Sequence, residues 1–430
     1  MRRAWLLLAL LPLALGDCAR GGDENVITFW HAMGRWEPQL LEIVDAYNAL
    51  HPEMPVRAYN MSRYQALSQK IIAAVAAGQP PTISQAYEAW TSEMMAGGVI
   101  ECLQPYADGA MGVDGLSEAD WSDFRPVFLD ECRYPDANGE GQLWSFPFNK
   151  SVRTLFYNRD LFAELGLDPE RPPRNWDEWR DYSARISADL DGDGRNDRWG
   201  STARASVTVF GNLLLQDDGD FFSADGSRCT IAEPPGVEAM TFMRAMFGER
   251  TLGYATFDYA YQNEFKAGKV GMMEGSSVSL SFLRGILDFE LGVAPLPGKK
   301  RDVALIQGTN LVLFKRATDA QKRGAWEFIR FLTDTANATR WSIATGYAPL
   351  RRSCMEQPAM QELLAATPGL EAAYGQLETA RSEPRNAAWF AGRKYLEEGA
   401  IQRVMRGTAA PAEALRATAR KIDAEIASEF

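Results

Sequence analysis

Four aspartates, Asp189, Asp191, Asp193 and Asp197, fall at positions 1, 3, 5 and 9 of the run Asp189-Leu190-Asp191-Gly192-Asp193-Gly194-Arg195-Asn196-Asp197. That spacing is the one by which a loop gathers carboxylate oxygens around calcium, and Gly194 supplies the turn glycine. The bidentate acid expected at position 12 is Gly200 instead, so water would have to complete the shell. The other reading is an Asp/Gly turn after a helix, which needs no metal. Hydrolytic chemistry has little to work with: the chain holds only two histidines, His31 and His51, which starves Ser–His–Asp triads and His-based metal centres alike. His31 follows Phe29-Trp30 at the end of a predicted strand, where packing or capping suits it. Five cysteines complete the reactive set.

Lys and Arg number 45 against 57 Asp and Glu, giving a formal charge of −12 over 430 residues. A nucleic-acid binder carries a basic face, so that class is excluded. The length suits two large lobes.

Residues 1–17 read as a signal peptide. Arg2 and Arg3 precede 13 uncharged residues, Ala4 to Gly16, fewer than the roughly 20 apolar residues that span a bilayer. Cys18 follows directly and resembles the lipidated cysteine of bacterial lipoproteins, although Asp17 stands where a small residue is usual. Ordinary cleavage after Gly16 is the alternative, and either outcome exports the protein to the periplasm or to the outer face of the cell membrane. The remaining cysteines, Cys102, Cys132, Cys229 and Cys354, allow two disulfides in an oxidising compartment, with Cys102 and Cys132 the nearest pair; buried thiols are the alternative.

The elements that must position any site alternate. Val26-Ile27-Thr28-Phe29-Trp30 is β-prone, and Leu40, Ile43, Val44 and Tyr47 recur at helical spacing. Val56 to Tyr59 predicts a second strand, Tyr64 to Ala77 a helix stopped by Gly78-Gln79-Pro80-Pro81, and Thr82 to Tyr87 a third strand. Such alternation implies parallel sheets covered by helices. Thr154-Leu155-Phe156-Tyr157 is strand-like. Asn175 with Glu178, and Thr318 with Gln321, carry the residues of helix starts. From Ala387 to Phe430 the pattern is helical throughout.

Three segments together resemble the periplasmic solute-binding proteins of bacterial ABC importers, within them the glycerol-3-phosphate-binding branch. The first runs through Phe29-Trp30-His31-Ala32-Met33, Tyr64, Ala76 to Pro81 and Gln85-Ala86-Tyr87-Glu88. The second is Phe146-Pro147-Phe148-Asn149-Lys150-Ser151 with Leu155-Phe156-Tyr157-Asn158-Arg159-Asp160. The third comprises Gly275-Ser276-Ser277, Gly308-Thr309-Asn310 and Thr345-Gly346-Tyr347-Ala348-Pro349. The resemblance implies an α/β, two-lobed periplasmic binding protein fold of type II, each lobe a mostly parallel sheet flanked by helices, joined by a hinge. Lobe 1 is expected over 25–147 and 293–330, lobe 2 over 148–292 and 331–430.

Carried over by motif, the resemblance implies ligand contacts at Tyr64, Glu88, Ser151, Ser277, Gly308, Tyr347 and Arg385, with Arg381 and Arg393 as rival placements for the arginine. The chemistry is coherent for a polyol phosphate. Glu88 can accept from adjacent hydroxyls, Ser151 and Ser277 can donate to phosphate, and the Gly308 amide can approach an anion unobstructed. An arginine fork matches two phosphate oxygens. Lys150 and Arg153 stand where relatives carry small or neutral residues, and either strengthen an anion site or face water. The relatives' second-lobe tryptophan has no counterpart in Val207 to Phe210, which offers only Phe210.

The implied function is that of a monomeric carrier for an ABC importer, not an enzyme. It captures glycerol-3-phosphate or a glycerophosphodiester such as glycerophosphocholine and hands it to a membrane permease, with no cofactor required beyond a calcium ion at the Asp189 loop if one binds. An oligosaccharide-binding protein of a sugar importer is the alternative within that class. An exported hydrolase using paired carboxylates or a metal is the alternative outside it, and no motif forces that arrangement.

Overall fold

The computed structural model describes residues 25–135, 139–248, 250 and 252–428. The expected signal peptide and the lipidation site Cys18 lie outside the described residues.

Among the described residues eleven strands form in chain order: β1 (Ile27–His31), β2 (Val56–Asn60), β3 (Ile83–Ala86), β4 (Arg133–Pro135), β5 (Gly141–Leu143), β6 (Phe146–Asn158), β7 (Trp199–Arg204), β8 (Gly253–Thr256), β9 (Val270–Ser276), β10 (Leu291–Pro295) and β11 (Ile306–Leu313). Strands β4 and β5 make a separate ribbon, and the rest run in the order β2-β1-β3-β11-β6-β9-β7-β8, with β10 on β6. Parallel pairing holds within each lobe, β2-β1-β3 in the first and β9-β7-β8 in the second. Helices between successive strands make the parallel connections, as the alternating pattern requires. Within the large sheet every antiparallel pair involves β6 or β11, which meet each other and also β3, β9 and β10; the β4–β5 ribbon is antiparallel as well.

Strand β6 holds the lobes together. Thirteen residues long and buried throughout, it extends about 40 Å at the usual rise. Its first half pairs with β11, its second half with β9 and β10. Two large clusters of buried side chains result, the first of which continues across β6 to Val270 and Met273 of β9. Phe29, Phe148, Trp326 and Phe328 belong to one; Trp179, Phe210, Phe242 and Trp389 belong to the other.

Local patterns explain the covering helices. Leu40, Ile43, Val44 and Tyr47 are the buried face of the helix Glu37–Leu50. Thr318 and Gln321 form a complete capping box at the start of Asp319–Leu332. Asn175 caps the helix Trp176–Ile186, but Glu178 reaches one residue further back, accepting from the Arg174 amide at 2.9 Å. The C-terminal helical stretch is interrupted after Met405 and resumes at Pro411.

Packing divides the chain differently from the sequence reading after residue 293. The helix Thr335–Thr345 sits on Glu37–Leu50 of the first lobe: Arg340 pairs with Glu42 at 3.2 Å, and the Trp341 ring stacks on Phe148 at 5.3 Å. Strand β10 pairs with the second half of β6, and its Ala294 packs in the second core with Val303 and Leu305 while Val293 packs in the first. The Cys102–Cys132 disulfide is absent, and Cys132, Cys229 and Cys354 are buried thiols. The segment after β5 runs between the first two cysteines: Leu143 O accepts from Cys102 Sγ at 3.4 Å, and Trp144 N donates to Cys132 O at 3.0 Å.

Candidate functional site

A cleft of about 970 Å³ opens between the lobes, bordered by β6 and β11 and walled by helix starts from both sides. Tyr64, Glu88, Ser151, Gly308 and Tyr347 all line it.

On the first-lobe side the strand–helix turns deliver the side chains. Tyr64 opens the helix Tyr64–Ala76, and its ring meets Tyr87 at 5.0 Å. Glu88 opens the helix Glu88–Ala96, and its carbonyl accepts from Tyr134 Oη at 2.8 Å. Gly346, left-handed at φ 77°, ends the helix Thr335–Thr345 and turns Tyr347 toward the cleft, where its hydroxyl lies 3.4 Å from that of Tyr64. Trp36 closes on the Tyr347 ring at 5.8 Å. Burial raises the pKa of Tyr64, Tyr87 and Tyr347 above the ordinary phenol value, so all three present protonated hydroxyls.

Ser151 and Gly308 come from the hinge strands. Gly308 has φ 130°, and a Cβ there would stand 1.6 Å from the Asn149 carbonyl oxygen. Only glycine fits beside β6 at the irregularity after Thr309, and the same bareness opens that stretch of backbone to a ligand.

The electrostatics are uneven. Burial, then the neighbouring Glu131 and Glu383 carboxylates, push Glu88 up to about 8, against the opposing pull of Lys150. Glu383 behaves oppositely. Burial works against its charge, but Arg393 and hydrogen bonds from Trp389 and Thr208 hold its carboxyl below the usual range. Arg393 grips Glu383 with a fork, Nε to Oε2 at 2.7 Å and Nη2 to Oε1 at 3.2 Å. With 42% of its side chain still accessible, it offers a forked cation to the cleft, which Arg153 and Arg204 also line.

Two of the seven implied residues do not line the cleft. Arg385 turns its guanidinium onto the carbonyls of Asp130 and Arg133, because the chain docks there on the end of the helix Pro126–Glu131. Ser277 is 1% exposed with its hydroxyl unpartnered among the described residues, while its neighbours Ser276 and Ser279 line the cleft. Lys150 and Arg153 neither join an open anion site nor face water. Lys150 is fully buried against Glu131, with Asn310 bonded to the same carboxylate at 3.2 Å. Arg153 reaches the cleft wall but is paired with Glu274, Nε to Oε1 at 2.6 Å. Phe210 is buried in the second core, and Thr208 from the same helix faces the ligand space.

Sequence reasoning missed Glu383, Thr208, Gln307 and Trp389. Their partner Arg393 carried a signal, as a rival to Arg385.

Of the acidic loop, Asp189, Asp191 and Asp197 bring carboxylate oxygens within 4.8 Å of one another, all exposed. Loop amides occupy them: Gly192 and Gly194 donate to Asp189, and Leu190 to Asp197. Asp193 instead accepts from the Arg195 amide. His31 is buried with Nε2 4.0 Å from Glu37, and burial lowers it to about 4.

A cleft between two α/β lobes, joined by continuous strands and lined with hydroxyls, aromatic rings and a paired arginine, defines a hinged binder of a small polar solute. The family profile of the bacterial extracellular solute-binding protein matches residues 34–339. The chain belongs to that family. The sn-glycerol-3-phosphate-binding periplasmic protein UgpB of Shigella dysenteriae serotype 1 is 28% identical over 374 residues, 85% of this chain and 84% of that protein; its Escherichia coli K12 namesake is 27% identical over the same length. Among solved structures, UgpB from Mycobacterium tuberculosis in complex with glycerophosphocholine superposes with a TM-score of 0.80 at 21% identity, covering 94% of this chain and 98% of that one. The cyclic α-maltosyl-1,6-maltose binding protein of Arthrobacter globiformis gives 0.77 at 23% identity, covering 94% and 99%. No described helix is long and apolar enough to cross a membrane.

Proposed function

We propose that the protein is the ligand-capturing component of an ABC importer and that it takes glycerol-3-phosphate or a glycerophosphodiester such as glycerophosphocholine. The observation that carries this reading is the chemical split of the cleft. Glu88, Tyr64 and Tyr347 present a carboxyl and hydroxyls from the first lobe, and Arg393 presents a guanidinium from the second, beside Thr208. A molecule with hydroxyls at one end and a phosphate at the other bridges the two walls. Closing the lobes around it excludes water and strengthens each polar contact. A three-carbon phosphate underfills about 970 Å³, which favours the diester.

The binding names of the relatives support the same ligand class. The carrier is exported, held at the membrane through Cys18 or released by cleavage after Gly16, and works as a monomer that a membrane permease recognises when closed. It takes no chemical step and needs no cofactor.

A neutral oligosaccharide is the second reading. Trp36, Trp90, Tyr259, Trp389 and Phe390 around the cleft are the stacking surfaces that sugars use. Calorimetry against glycerol-3-phosphate, glycerophosphocholine and maltose, each with inorganic phosphate as competitor, separates the two. One site per chain, weakened by phosphate, supports the proposal. Maltose binding indifferent to phosphate overturns it, and turnover of any ligand would restore the hydrolase.

A further inference from the structure

Arg385 stands where the chain crosses to the first lobe before its C-terminal helices. The crossing starts at Arg381, which is held to the start of the hinge strand β11 by its backbone and to the second lobe by its side chain. There the carbonyl accepts from Ile306 N at 2.9 Å, the amide donates to Ala304 O at 3.0 Å, and Nη2 donates to Asp220 at 2.8 Å. Four residues on, Arg385 is moored to the first lobe. Its Nη1 donates to the Asp130 and Arg133 carbonyls, its guanidinium lies 5.7 Å over the Tyr134 ring, and its carbonyl accepts from Ser92 Oγ at 2.6 Å. Asn386 then caps the helix Ala387–Lys394, which returns to the second core through Trp389.

Between the moorings lies Glu383, 5% exposed, accepting from Thr208 Oγ1 and Trp389 Nε1 at 3.2 Å each and from the Arg393 fork. A strap of four residues spans at most about 14 Å. That reach limits how far the two moorings can part, and Glu383 lies between them.

We propose that Arg385 is a positioning residue that moors the 381–386 strap to the first lobe, fixing Glu383 and through it the aim of Arg393, so that lobe rotation and placement of the cleft cation are a single motion. The guanidinium suits this task, because charge-assisted bonds to carbonyls at a helix end are about twice as strong as neutral ones. The role in ligand capture rests on the function proposed above; the mooring itself does not.

The test is a double-mutant cycle on the full chain, read by calorimetry with glycerol-3-phosphate and by amide hydrogen exchange without ligand. Arg385→Ala should weaken binding about 10-fold in the native background and less than about 2-fold when Arg393→Ala is already present. Exchange over 381–394 should quicken about 10-fold while that of β1 stays unchanged. Additive losses in the cycle would overturn the proposal, as would exchange quickened equally in both cores, which marks a merely structural residue. Should the native chain bind no probe, the proposed ligand falls and exchange alone decides: local quickening upholds the mooring and its absence refutes it. If Arg385→Ala does not fold, Arg385→Lys, which keeps the charge but loses the fork, carries both measurements with smaller effects of the same sign.

Discussion

Replacing Glu88 by glutamine should stabilise the empty protein in mild alkali while impairing capture. In the native state burial and two nearby carboxylates hold the Glu88 proton until about 8, whereas an ordinary glutamate releases it near 4.5. Between those values the unfolded chain has lost a proton that the folded one keeps, so stability falls as pH rises, by about 1.4 kcal/mol per pH unit, and levels off above the native value. The full window would amount to about 5 kcal/mol, but Glu88 borders an open cleft, and solvent screening reduces the expected difference to about 2 kcal/mol. Glutamine removes the titration and keeps the shape. Urea unfolding of both proteins at about pH 5 and about pH 9 should show the native chain losing roughly 2 kcal/mol more than Glu88→Gln over that span. Parallel pH dependences of the two proteins would refute the reasoning.

Arg393→Ala should weaken glycerol-3-phosphate binding about 100-fold by calorimetry, and should lower stability by about 1–3 kcal/mol because it leaves the Glu383 carboxylate buried without its cation. Gly308→Ala would drive a methyl group into the Asn149 carbonyl at a φ of 130°, costing about 3 kcal/mol or more in urea unfolding. Lys150→Met should destabilise by about 3–5 kcal/mol by stranding Glu131, and adding Glu131→Leu should recover most of the loss.

Local order was legible where neighbours in sequence decide it. The face Leu40, Ile43, Val44 and Tyr47, and the Thr318–Gln321 box, involve contacts within one or two turns, and both appear in the fold. Strand β6 was half visible. Its apolar stretch from Thr154 to Tyr157 reads as strand, but Asn149 and Lys150 disguise the rest, because their partners Trp341 and Glu131 come from distant parts of the chain. The cysteine pair shows the same limit: proximity in sequence says nothing of the segment that passes between them.

The cleft follows the same division. Motifs at turns, such as Tyr87-Glu88 and Gly346-Tyr347, sit where backbone geometry aims the side chain. Arg385 lies on the crossing strap and Arg393 on the helix that follows, and Arg385 is drawn from the cleft by the carbonyls of Asp130 and Arg133 at the end of Pro126–Glu131. Nothing adjacent in sequence encodes that choice, nor the pairing of Glu383 with Arg393.

Equilibrium dialysis of the purified chain against isotopically labelled glycerophosphocholine, followed by release and chemical identification of the label, tests the central claim most directly. The account predicts one molecule held per chain, displaced by glycerol-3-phosphate, lost in Arg393→Ala and recovered chemically intact. Label recovered as cleaved product, or retained equally by Arg393→Ala, would contradict it.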